Sequence, residues 1–117
     1  MNMELAALAE EMESALVLED DLVRRVISLL NSLSSELSLD RADLDSTDKI
    51  LSVIHTVRPG WNITMKGNAT MPNGHWRCTL RQSSSRDNDE YLGIGRGPTL
   101  PHSLLASLLK ALSFVQN

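Results

Sequence analysis

Arg77, Thr79 and Arg81 alternate with Trp76, Cys78 and Leu80, so an extended chain here puts two guanidinium groups on one side and an apolar row on the other. Upstream, Thr64 and Lys66 alternate with Ile63 and Met65 in the same way, and Arg86, Tyr91 and Arg96 follow downstream. A basic face with an aromatic ring beside it holds single-stranded nucleic acid, because the cations attract phosphate and the ring stacks on a base. Lys66, Arg77, Arg81, Arg86, Tyr91 and Arg96 are therefore the candidate anion or nucleic-acid contacts. The competing reading is a solvated antiparallel sheet that uses arginine for solubility.

The run Gly93-Ile94-Gly95-Arg96-Gly97, just before a leucine-rich stretch, invites a phosphate-binding turn, since glycines let backbone amides approach an anion at the start of a helix. A dinucleotide fingerprint needs G-x-G-x-x-G in a parallel βαβ unit, and here the third glycine comes one residue early. No P-loop lysine with its Ser/Thr is present either, so the glycines are read as structural, with Arg96 at the turn as the alternative anion contact. His55, His75, His102 and Cys78 form no ligand-spaced pair, and Cys78 alternates into the expected core. The expectation is no catalytic residue, no metal and no cofactor, hence a protein that is not an enzyme.

Leu5, Leu8, Met12, Ala15 and Leu16 recur at three- and four-residue steps, and Leu22, Val26, Leu29, Leu33 and Leu37 continue the rhythm. Such spacing serves a core or a dimer seam. Leu22, Val26, Leu29 and Leu33 are accordingly the candidate partner interface.

These residues imply a set of elements to hold them. Residues 1–38 read as an acidic helical segment, with a break preferred at Glu19-Asp20-Asp21, where adjacent carboxylates suit the start of a new helix. Residues 40–57 read as a further helix, capped by Asp45 or Ser46 and stopped by Arg58-Pro59-Gly60. The period then changes from 3.6 to 2, which predicts an antiparallel meander over residues 60–95. Its third strand is expected over residues 90–94, with Leu92 and Ile94 facing the core and the glycines leading into the last helix. That helix spans residues 99–115, with Thr99 as N-cap and Pro101 in the first turn, where it is tolerated.

A chain of 117 residues, 42% hydrophobic and 22% charged, suits one folded domain. The single cysteine excludes an internal disulfide and fits a reducing compartment. The first residues carry acid where a secretory signal needs base, and no apolar run approaches the roughly 20 residues of a membrane span. The expectation is a cytoplasmic protein without a membrane partner. The net charge of -4 hides an asymmetry: residues 1–57 sum to -8 and residues 58–117 to +4. Acidic helices lying over a basic sheet would mask it.

The order helix, three antiparallel strands, helix resembles the double-stranded-RNA-binding domain, most closely where Gly93-Ile94-Gly95-Arg96 runs into a helix with Leu105, Ala106 and Leu109 on its inner side. The resemblance spans at most residues 41–115. It implies a lysine-rich approach to the last helix that grips phosphates, whereas this chain reads Gly97-Pro98-Thr99-Leu100-Pro101-His102 there. The sequence thus predicts an α+β single domain over residues 1–117, with N-terminal helices, a three-stranded antiparallel sheet and a C-terminal helix on one sheet face. The leading function is a non-enzymatic cytoplasmic interaction or regulatory module, a homodimer or the partner of another protein, associating through its N-terminal helices. The alternative is a nucleic-acid-binding protein that uses the basic outer face of the sheet.

Overall fold

The computed structural model describes residues 3–15, 19–67, 76–81 and 93–114. It is an α+β fold: α1 (Met3–Ser14), α2 (Asp20–Leu33), a 3-10 helix (Arg41–Asp45), α3 (Thr47–Val57), β1 (Asn62–Lys66), β2 (Trp76–Arg81), β3 (Gly93–Gly97) and α4 (Leu100–Phe114). The strands form one antiparallel sheet in the order β1-β2-β3.

The acidic cluster starts α2. Glu19 occupies the cap position with extended backbone, and Asp20 and Asp21 lie in the first turn, where the helix dipole favours negative charge. The stripe expected along this helix is turned slightly. Leu22, Val23, Val26 and Leu30 face the core, while Leu29 is half-buried and Leu33 is exposed. Residues 40–57 are not one helix but two. A capping box between Asp40 and Asp43 starts the 3-10 helix, and Ser46, in extended conformation, ends it and starts α3 by accepting from the Lys49 amide at 3.2 Å. Two caps in succession interrupt a continuous helix. At the far end of α3 the chain turns through Gly60, whose φ of +83° disfavours any residue with a side chain.

β3 departs from expectation in both bounds and phase. It runs Gly93–Gly97, and Gly93, Gly95 and Gly97 face α4, so Ile94 is not a core residue but lies on the opposite, outer side with Arg96. Leu92, expected beside it, falls outside the described residues. The glycines let two backbones meet: a methyl at Gly93 would sit 2.5 Å from the Ser107 carbonyl oxygen, and one at Gly95 2.2 Å from the Ser107 nitrogen. They form a strand, not the phosphate-binding turn.

α4 is enclosed on nearly all sides, with β2 and β3 on one flank and α1, α3 and the 3-10 helix on others. Leu104, Leu105, Leu108 and Leu109 are wholly buried, and so are Ser103 and Ser107. Those hydroxyls donate to carbonyls one turn back, Ser103 to Leu100 and Ser107 to Leu104, both at 2.9 Å, which removes the penalty of burying them. The Thr99 hydroxyl accepts from the His102 amide at 3.3 Å and caps the helix. The buried His102 ring reaches across through Nε2 to the Met12 carbonyl at the end of α1.

Candidate functional site

Because side chains alternate along a strand, the outward positions of the sheet are Asn62, Thr64 and Lys66 on β1, Arg77, Thr79 and Arg81 on β2, and Ile94 and Arg96 on β3. The register aligns them in rows. Lys66 lies opposite Arg77, and Arg77 opposite Arg96, so three cations from three strands stand side by side. Adjacent strands are about 4.8 Å apart, so these side chains leave the sheet as neighbours and their charges repel. The next row is neutral, Thr64, Thr79 and Ile94, and beyond it Arg81 lies opposite Asn62.

Lys66, Arg77 and Arg96 are exposed, and no ion pair or side-chain hydrogen bond engages their charged groups among the described residues. Arg81 is half-buried. Arg86 and Tyr91 lie outside the described residues. The outward positions hold no acid, although the chain has 15 Asp/Glu. Thr64 and Thr79 stand on this face as the alternation predicts, and Asn62, which the charge pattern does not single out, joins them. The expectation that Ile94 faces the core rests on its apolar side chain, whereas the inward positions are the bare glycines Gly93, Gly95 and Gly97, whose period-2 spacing carries the phase.

The acidic helices do not mask this face. α1 packs against α4 and along the edge of β3, where Glu13 accepts from the Arg96 backbone amide at 3.1 Å and pairs with Lys110 at 3.8 Å. Other acids find partners among the helical arginines and backbone amides. Glu11 and Arg25 bridge α1 and α2 through two hydrogen bonds of 2.8 and 2.5 Å, and Asp20 accepts from Arg41 at 2.6 Å. The Arg25 guanidinium holds the Glu11 carboxyl below the usual carboxylate range, mainly by hydrogen bonding.

The candidate partner interface separates into two groups. Leu22 and Val26 are buried inside the protein and are not presented to a partner, whereas Leu33 remains 41% exposed. Leu29 lines a groove of about 410 Å³ between α1 and α2, together with Glu4, Leu8, Glu11 and Arg25. The other reactive groups are scattered. Cys78 is buried with its sulfur 3.0 Å from the Ser103 hydroxyl, and burial pushes its thiol pKa up. His55 is exposed on α3, His102 serves the α1 contact, and His75 lies outside the described residues. No group of three His, Cys, Asp or Glu side chains is placed to hold a metal among the described residues, and none of the described helices is long and apolar enough to cross a membrane. Comparison with protein families, with curated proteins and with solved structures finds no match to this chain.

Proposed function

We propose that this protein is a non-enzymatic binding module whose working surface is the outer face of the sheet and whose ligand is nucleic acid. One observation carries the reading: the in-register row Lys66-Arg77-Arg96, exposed, with no ion partner for its side chains among the described residues. Like charges directly opposite on neighbouring strands destabilise a sheet by a few tenths of a kcal/mol to about 1 kcal/mol per pair. In a chain rich in acid, such a row is better explained by a polyanion that neutralises it than by solubility. The threonine row between the cations adds hydroxyl donors for phosphate oxygens. The reading does not rest on the resemblance to the double-stranded-RNA-binding domain, since the approach to α4 has no lysine.

A titration of labelled single- and double-stranded oligonucleotides tests it. Three or four phosphate contacts imply a log-log salt slope of about -2 to -3 on a single strand. Arg77→Ala/Arg96→Ala should lower that slope by about 1.4 and weaken binding regardless of sequence. Absence of binding at low salt, or binding untouched by the double substitution, would overturn the proposal.

A second reading, association through α2, is favoured by the exposure of Leu33 beside the groove that Leu29 lines. Leu33→Glu would abolish association if that face were used.

A further inference from the structure

The two edges of the sheet end differently. On β3, α1 lies alongside, and Glu13 occupies the backbone amide of Arg96. On β1, no described residue pairs with the outer edge. Proteins blunt exposed edges with lysine, proline, bulges or inward-pointing charge, and the one charge on β1, Lys66, stands at its last residue on the outer face. β1 contains no proline and pairs with β2 through five consecutive residues, and its inward positions carry Ile63 and Met65, the latter 42% exposed. The helix that covers β2 and β3 leaves β1 exposed at four of its five residues.

We propose that β1 pairs with β1 of a second copy of this chain, antiparallel about Thr64, joining the two sheets into one. The register argues for this occupant. Antiparallel pairing of all five residues sets Thr64 opposite itself, Ile63 opposite Met65, and Asn62 opposite Lys66. Residues directly opposite point to the same face, so both helical layers fall on one side and the four apolar side chains meet there. On the other side each lysine meets an asparagine carbonyl rather than a second lysine. A slip of one residue would carry the helical layers to opposite faces and leave Ile63 and Met65 in water. A slip of two residues shortens the ladder.

The same register extends the basic face. The row Arg96, Arg77, Lys66 continues into Asn62 and Arg81 of the second copy, and the two-fold axis repeats it. Two cationic rows then run about 13 Å apart, four residues along the strand, with the threonines of both copies between them. A sheet of six strands, twice the three in one copy, spans about 24 Å at the usual strand spacing, room for several nucleotides. This extension rests on the proposed nucleic-acid reading; the strand pairing itself does not.

Light scattering and sedimentation equilibrium of the full chain over a wide concentration range test the pairing, with far-UV circular dichroism as the check on folding. The protein should be a dimer at high concentration. Met65→Lys puts a charge on the apolar side, and Thr64→Lys, at an exposed position, sets a lysine opposite itself. Each should raise the dimer dissociation constant by about tenfold or more, and Leu33→Glu should leave it unchanged. Arg77→Ala/Arg96→Ala should keep the mass while losing oligonucleotide, which separates failure of the dimer from failure of the nucleic-acid reading. A monomer at every concentration, or a dimer indifferent to Thr64→Lys, would overturn the pairing.

Discussion

A methyl group at Gly95 would sit 2.2 Å from the Ser107 backbone nitrogen, and because the obstacle is backbone, no side-chain rearrangement relieves it. Gly95→Ala should therefore destabilise the protein by about 2–3 kcal/mol or more, and Ser107→Ala should not rescue it. At Gly60 nothing lies within 4 Å, and only the positive φ opposes a side chain, so Gly60→Ala should cost about 1 kcal/mol. Urea denaturation of the two variants checks the contrast. The glycines also mark a limit of sequence reading. Gly-x-Gly-x-Gly fits a flexible turn as well as a strand with a bare face, and only the small and serine-rich side of α4 that meets it decides between them. Cys78 was legible as a core residue from its alternation. Its thiol pKa is raised mainly by burial, so the folded state binds the proton more tightly than the unfolded one. Stability should be unaffected by this group below the ordinary thiol pKa of about 8.5 and should fall as pH rises above it. Cys78→Ala should flatten that alkaline limb in a pH series of melting curves.

The helices were legible as elements because their apolar periods are long and the residues at their starts, acidic or hydroxyl-bearing, can be read directly. Glu19, Ser46 and Thr99 each stand where a helix begins. What could not be read was which flank of α2 turns inward: Val23 and Leu30 complete its core face, while Leu33 stays out. Both arrangements satisfy a helical period, and only the position of α1 and the 3-10 helix selects one. α1 itself is held by its buried face, Leu5, Leu8, Ala9 and Met12, and by a few polar ties. The buried His102 ring bonds the Met12 carbonyl, so His102→Ala should leave that carbonyl without its partner and destabilise by about 1–3 kcal/mol. Hydrogen exchange should then quicken in α1 more than in α3. The Glu11–Arg25 bridge between α1 and α2 is exposed, so its removal should matter less and depend on salt. Glu11 has its carboxyl pKa depressed, so the bridge is intact above the ordinary carboxylate pKa and is lost as pH falls through the lowered value. An acid titration followed by exchange in α1 would show it.

At the scale of the molecule, charge and topology act together. The sequence showed a basic C-terminal half and an acidic N-terminal one, but not that the acidic helices stand behind the sheet while the arginines face outward. That separation arises because α4 and α1 take the glycine-bearing side and leave the other to solvent. An anionic ligand would be drawn to the basic face and turned away from the acidic helices, an attraction that salt screens, so its association should slow as salt rises. The cationic row became visible only with the register, since Lys66, Arg77 and Arg96 are separated by 11 and 19 positions in the chain and are neighbours only across strands. The most direct test is an amide-resolved NMR titration with a short single-stranded oligonucleotide at low salt. The account predicts shifts concentrated in residues 62–66, 76–81 and 93–97 that vanish in Arg77→Ala/Arg96→Ala. Shifts confined to α1 and α2, or none at all, would contradict it.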